Sequence, residues 1–286
     1  MQQVQHRSDT MLDGTSGYLL AQGPNEVERL QKWGRIWEPE AEAMLDQIAI
    51  QPGWRCLDLG CGPMGILGAL SRRVGPTGRV VGADINPQQL DAARELTQGE
   101  GLTNIEFVEA DAFHTGLPRE SFDLVHVRFM FSPLGKDQAL MQELLALTRP
   151  GGVVVTQEAD DCSYICDPPQ EAWERLKALT ADAFERAGGD AKAGRRMYGV
   201  LRHAGLEDVQ SRAVALALPP GHPYRRWPIE STMATRPKTR AWGLMSDPEW
   251  QQMVAECERI ADDPEIFLIS FMVNQNWGRK PVQKRT

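Results

Sequence analysis

Cysteine is scarce: Cys56, Cys61, Cys162, Cys166 and Cys257 are an odd five, with no C-x-x-C pair and no nearby histidine at metal-ligand spacing. Neither a disulfide nor a zinc site is assigned to them, and reduced thiols are expected. Long hydrophobic runs are missing too. No window approaches the roughly 20 apolar residues of a membrane span, and the start Met1-Gln2-Gln3-Val4-Gln5-His6-Arg7 lacks the apolar stretch of a signal peptide. A cytoplasmic protein with no membrane partner is the expectation. Basic residues are outnumbered: 31 Lys and Arg face 39 Asp and Glu, a net charge of −8 that disfavours a nucleic-acid partner. Repeats and low-complexity segments are absent. What remains is 286 residues, 42% of them hydrophobic, enough for one large core or two ordinary ones.

From residue 54 onward, short apolar runs alternate with amphipathic stretches, the sign of a parallel sheet flanked by helices. Strands are expected at 55–59, 79–84, 105–109, 122–127 and 152–158, with helices at 66–74, 87–99 and 136–148. A doubly wound, Rossmann-like α/β fold follows. Two helices, interrupted at Pro39, precede the sheet, and helices at 168–187 and 197–204 follow it. Strands are expected at 209–218 and, as an antiparallel last strand, at 266–273. The stretch between them, rich in Pro, Trp and Arg and helical from 248 to 260, is longer than a hairpin needs and is a candidate lid. The expected units are an N-terminal helical cap (1–48), a ligand-binding core (49–218), a lid insertion (219–265) and a last strand with its tail (266–286).

The segment Cys56-Leu57-Asp58-Leu59-Gly60-Cys61-Gly62-Pro63-Met64-Gly65 carries a G-x-G-x-x-G turn between a strand and a helix. Such a turn, with Asp84 ending the second strand, fits a dinucleotide or another ribose-bearing cofactor. Asp58 separates the two: a carboxylate at the mouth of the turn repels a pyrophosphate but suits an ammonium and a sulfonium. An NAD-dependent oxidoreductase is thereby disfavoured.

With these residues in order, the sequence resembles the class I S-adenosylmethionine-dependent methyltransferases. Leu57-Asp58-Leu59-Gly60-Cys61-Gly62-Pro63 resembles the first motif, Ala83-Asp84-Ile85 the second and Glu109-Ala110-Asp111-Ala112 the third. Ser121-Phe122-Asp123-Leu124-Val125-His126 is similar to the fourth strand, and Arg149-Pro150-Gly151-Gly152 to the turn before the fifth. The resemblance implies S-adenosylmethionine as cofactor. Gly60, Cys61 and Gly62 pass beneath it, Asp58 meets its amino-acid end, and Asp84 accepts from the ribose hydroxyls. Asp111 and Ala112 read the adenine, Ile85 and Phe113 sandwich it, and Arg128 lies near the methionine ammonium. Tyr18-Leu19-Leu20 and the helix with Gln31 and Trp33 resemble the cap of small-molecule methyltransferases in bacterial secondary metabolism, which adds Tyr18 to the cofactor residues. Met64 departs from the adjacent glycine that close relatives carry.

Glu158, Asp160 and Tyr164 follow the fifth strand and are the candidate catalytic bases, with His126, His203 and His222 as rivals. His126 lies on a buried-looking strand and reads as a core histidine. The expected activity is in-line transfer of a methyl group to a small aromatic or heteroaromatic natural product, such as an indole alkaloid or cyclic dipeptide, at C or N rather than O. A non-catalytic S-adenosylmethionine-binding protein and an RNA methyltransferase are the alternatives.

Overall fold

The computed structural model describes residues 24–282, so Tyr18 lies outside the described residues. Two helices come first, α1 (Pro24–Ile36) and α2 (Glu38–Ile48). Pro39 sits in the first turn of α2, where its missing N–H costs nothing, and Ala41, Met44, Leu45 and Ile48 form the buried stripe. The chain then alternates through β1 (Arg55–Leu59), α3 (Leu67–Val74), β2 (Arg79–Asp84), α4 (Pro87–Gly99), β3 (Ile105–Glu109), β4 (Phe122–Arg128), α5 (Phe131–Leu134), α6 (Asp137–Leu147) and β5 (Thr148–Asp160). The remainder is β6 (Ile165–Asp167), α7 (Glu171–Arg186), α8 (Met197–His203), β7 (Glu207–Val214), β8 (Ala217–Leu218), α9 (Trp227–Ala241), α10 (Asp247–Asp262), β9 (Phe267–Ile269) and β10 (Met272–Arg279).

Seven strands form the main sheet in the order β3-β2-β1-β4-β5-β10-β7. β1 to β5 pair in parallel, and β10 enters antiparallel between β5 and β7. Helix α2 and the β1–β2 crossover cover one face, where Met44, Leu45, Leu67 and Leu70 meet Cys56, Val80, Val153 and Val155. On the other face Leu140, Leu144, Met197 and Leu201 meet Leu57, Val125 and Val154. A third cluster, beyond the carboxyl ends of the strands, joins α1, α7, α9 and α10.

The C-terminal third departs from expectation. The runs 209–218 and 266–273 are not single strands: each bends between two sheets. β6, β9 and β8 make a separate three-stranded antiparallel sheet. At the bend the Ser270 N–H donates to the Leu216 carbonyl and the Leu216 N–H to Ser270 Oγ, both at 2.9 Å. Apolar residues continue through the bend, so the pattern conceals it. β10 also runs on to Arg279, past the expected end at 273, because Gln275 and Asn276 are buried.

Helix α9 occupies the Pro- and Trp-rich start of the expected lid, ahead of the helix expected at 248–260. Pro228 lies in its first turn, and the buried Thr232, Thr235 and Thr239 bond back to carbonyls of the preceding turn. These threonines replace the apolar stripe that would have announced a helix. Arg225, beside this helix, is buried and donates to the carbonyls of Leu218, Ile260, Ala261, Asp263 and Ile266. It clamps the insertion to the small sheet.

Candidate functional site

The strand order reverses between β1 and β4, so the loops leaving their carboxyl ends diverge and open a crevice. The described residues of the sequence motifs sit along that edge of the sheet: Gly60 to Gly62 after β1, Asp84 and Ile85 at the end of β2, Asp111 to Phe113 after β3, Arg128 ending β4, and Glu158 and Asp160 ending β5.

The turn after β1 is held by Gly60 and Cys61, whose N–H groups both donate to the Ala83 carbonyl, at 2.7 and 3.0 Å. Gly60 and Gly65 have φ of +69° and +54°. A Cβ on Gly60 would collide with Met130 Sδ and one on Gly65 with Asp58 Oδ2, so space as well as backbone geometry demands glycine. The Gly62 N–H donates to Asp84 Oδ2 and the Asn86 N–H to Asp84 Oδ1, each at 2.9 Å. Burial raises the pKa of Asp84, while these two N–H bonds pull it down. Ile85 is 67% exposed on the rim, and Phe113 is half-buried beside exposed Asp111, whose Oδ1 accepts the Phe113 N–H at 2.8 Å. The Cys61 thiol is raised well above its ordinary pKa by burial and then by Asp58 and Asp84, which removes it as a nucleophile.

Asp58 is buried beneath the turn. Its Oδ2 accepts the Ile66 N–H at 2.8 Å and its Oδ1 lies 2.7 Å from His126 Nδ1. Its influence on the crevice is therefore its field and its grip on Ile66. Arg128 Nη2 donates to the Gly65 carbonyl at 3.2 Å, while Nη1 is enclosed without a partner among the described residues. Burial lowers the Arg128 pKa, opposed by the charge of Asp58. Met64 packs its thioether near Gly34 of α1, where a Cβ would lie 3.0 Å from Sδ.

Beside Arg128 stands a cluster of rings from both ends of the chain. Trp33 and Tyr224 meet edge to face at 5.2 Å, Tyr164 and Phe271 likewise at 5.2 Å, and Tyr224 stacks on Trp227 at 5.6 Å. Trp37 stacks on Phe271 and donates Nε1–H to the Tyr224 hydroxyl at 2.8 Å. Trp33 Nε1 and the Tyr164 hydroxyl are buried without partners among the described residues.

The expected bases are not equally placed. Glu158 Oε2 accepts the Phe131 N–H at 2.7 Å and Oε1 the Ala159 N–H at 3.1 Å, and burial pushes its pKa up to about 8. Asp160 accepts Arg195 Nε–H at 2.6 Å and the Cys162 N–H at 3.3 Å. Both carboxylates are committed to holding the end of β5. His203 Nδ1 is bonded to the Gly199 carbonyl, and His222 Nδ1 accepts the Tyr224 N–H. Asp161 escaped the sequence reading. Its carboxylate has one long contact, Ser132 Oγ at 3.5 Å, and burial followed by the charge of Asp160 pushes it up to about 7. Its charge is felt at Tyr164 and Tyr224. The signal was the Asp160-Asp161 doublet at a strand end, where only one of two neighbours can pair with Arg195.

Among the described residues no group of His, Cys, Asp and Glu could hold a metal ion, and no helix is long and apolar enough to cross a membrane.

A model of the methyltransferase domain matches residues 50–205. An uncharacterized 37.1 kDa protein of a Streptomyces fradiae transposon is 34% identical over 165 residues, 57% of this chain and 46% of that protein. The ubiquinone/menaquinone biosynthesis C-methyltransferase UbiE of Pseudomonas putida is 34% identical over 125 residues, 43% of this chain and 48% of that one. The chain thus spans about half the length of these curated relatives. The phosphoethanolamine N-methyltransferase 2 of Haemonchus contortus, solved with S-adenosyl-L-methionine, superposes with a TM-score of 0.51 at 18% identity, covering 93% of this chain and 54% of that one. At that identity the likeness speaks for the fold. The glycine turn, the sheet order and a family match over more than half the chain agree: the chain belongs to the class I S-adenosylmethionine-dependent methyltransferases.

Proposed function

We propose that this protein transfers the methyl group of S-adenosylmethionine to a small aromatic acceptor. The carrying observation is the pair of carboxylates around the glycine turn, Asp84 fixed by two backbone N–H groups on the rim and Asp58 buried beneath. A cofactor with a ribose on one side and a cationic amino-acid end on the other fits that arrangement, and a pyrophosphate does not. The other residues fit it too. Ile85 leaves a large apolar side chain in the open for a purine ring, and Arg128 Nη1 is a buried cationic donor in need of an oxygen anion, such as a carboxylate. The bound cofactor would supply an electrophilic methyl group on a positively charged sulfur.

The chain's own residues align the acceptor and exclude water, which can remove about 7 to 11 kcal/mol of a barrier in ideal cases. The wall of Trp33, Phe129, Tyr164, Tyr224, Trp227 and Phe271 supports a planar acceptor, and the insertion at 219–265 covers it as a lid. The unpartnered Trp33 Nε1–H and Tyr164 hydroxyl supply donors for polar atoms on that acceptor. The name of the Pseudomonas putida relative extends the candidate acceptors beyond indoles and cyclic dipeptides to quinols. Where the acceptor must lose a proton, Asp161, half-ionised near neutral pH, is the base its environment suits, with Tyr164 beside it. Glu158 and Asp160 hold the strand end.

The test is incubation with S-adenosylmethionine and a panel of indoles, quinols, phenols and amines, read by mass gain of one methyl group. Transfer to a planar member of the panel is expected. Binding of cofactor with no transfer to any acceptor, from folded protein, contradicts the proposal and favours a binding protein. Asp161→Asn should slow transfer to a phenolic acceptor by about a hundredfold or more and leave cofactor affinity unchanged.

A further inference from the structure

A row of buried polar side chains crosses the sheet beneath α2, and methyl transfer as described gives a task only to Asp58 at its inner end. Strand alternation puts Asp58 of β1, His126 of β4, Gln157 of β5 and Gln275 of β10 on one face, none more than 2% exposed. Asp58 Oδ1 lies 2.7 Å from His126 Nδ1, and His126 Nε2 lies 2.9 Å from Gln157 Nε2. Gln275 Nε2 donates to Gln157 Oε1 at 2.9 Å and to the Glu40 carbonyl at 3.0 Å. Arg212 of β7 donates from Nη1 to Gln275 Oε1 at 2.7 Å and pairs with the Glu40 carboxylate.

The outer end fixes the direction of every bond. A guanidinium only donates, so Gln275 must turn its oxygen to Arg212. Its amide nitrogen then faces two acceptors, the Glu40 carbonyl and Gln157 Oε1. Gln157 is left with its NH2 toward the imidazole, so His126 Nε2 accepts and the ring proton sits on Nδ1, facing Asp58. A cation stands at one end of the row and an anion at the other, and each link donates toward the anion.

We infer that Arg212, Gln275 and Gln157 form a one-way donor relay that holds His126 in its Nδ1–H tautomer, making His126 a positioning residue that keeps the Asp58 carboxylate aimed beneath the glycine turn. This rests on the proposed cofactor site, where the charge of Asp58 faces the cationic end of the cofactor. With the proton on Nε2 instead, a lone pair would face the carboxylate at 2.7 Å, and the repulsion would drive Asp58 off Ile66. Packing alone does not call for such a row, since apolar side chains of similar volume would fill the same space without four buried polar groups to satisfy.

The discriminating variant is Gln275→Glu. The new carboxylate still accepts from Arg212 but cannot donate, so Gln157 must turn its NH2 toward it and present its oxygen to His126 Nε2. Nuclear magnetic resonance on histidine-labelled protein reads the protonation of each ring nitrogen, and calorimetry reads affinity for S-adenosylhomocysteine. In the wild type the relay requires a proton on Nδ1 and a bare Nε2, and the reverse overturns it without any variant. In folded Gln275→Glu protein, the ring proton moves from Nδ1 to Nε2 and affinity falls about tenfold, roughly the worth of one hydrogen bond. An unchanged Nε2, an Nδ1 that keeps its proton, or unchanged affinity overturns the relay. Gln157→Glu makes the same demand one link nearer, should the first variant fail to fold. Wild-type protein that binds no S-adenosylhomocysteine overturns the cofactor site instead, and the ring-nitrogen spectra still decide the relay.

Discussion

Asp84 ties two loops together and still faces the crevice, so its loss should be felt by the ligand before it is felt by the fold. A charge-assisted pair of bonds to a ribose is worth roughly 1.5 to 3 kcal/mol, and Asp84→Ala should therefore weaken S-adenosylhomocysteine binding about ten- to a hundredfold in a titration. Unchanged affinity would remove Asp84 from the site. Asp161 makes a prediction of another kind. Burial raises its carboxyl from an ordinary 3.8 to about 7, so across that window the folded state holds a proton that the unfolded chain has released. Its contribution is complete below about pH 4 and is lost as pH rises to about 7. Asp161→Asn should make the melting temperature fall less between those limits than in the wild type, and parallel curves would contradict it. The place of Asp84 was legible because its distance from the glycine turn is fixed by one βα unit. Asp161 and the partners of His126 were not, because strand alternation tells which face a residue shares but not which neighbour it meets.

At the scale of elements, β1 to β5 and their helices followed from periodicity, since buried parallel strands read as short apolar runs. After β6, helices α7, α8 and α10 were also legible, but the last strands and α9 were not. One apolar run served two sheets at Leu216 and again at Ser270, a polar run proved to be the buried β10, and threonine carried the inner face of α9. The Pro-, Trp- and Arg-rich insertion was expected as a lid, and within it Arg225 is a clamp with its guanidinium spent on five carbonyls. Arg225→Leu leaves those carbonyls buried and unpaired, and should cost about 3 kcal/mol or more in denaturant unfolding. A loss below about 0.5 kcal/mol would show that the insertion is held by its rings instead.

At the scale of the molecule, the proposed cofactor half and the proposed acceptor half have different origins. The first is built from consecutive βα units at the reversal in strand order, which is why a sequence motif could announce it. The second is assembled from α1, the end of β4, the turn after β5, the insertion and the Phe271 bend, segments far apart in sequence whose rings meet only in the fold. The net charge of −8 suits an uncharged or cationic acceptor better than a nucleic acid. The whole account depends on the glycine turn binding S-adenosylmethionine, and thermal unfolding with S-adenosylhomocysteine and with NAD, each in large excess, tests that directly. A ligand at about 100 times its dissociation constant adds roughly 2.7 kcal/mol, which for a chain of this size is a rise of about 5 to 10 °C. That rise with S-adenosylhomocysteine and none with NAD is the predicted result; a rise with NAD alone, or with neither, would contradict it.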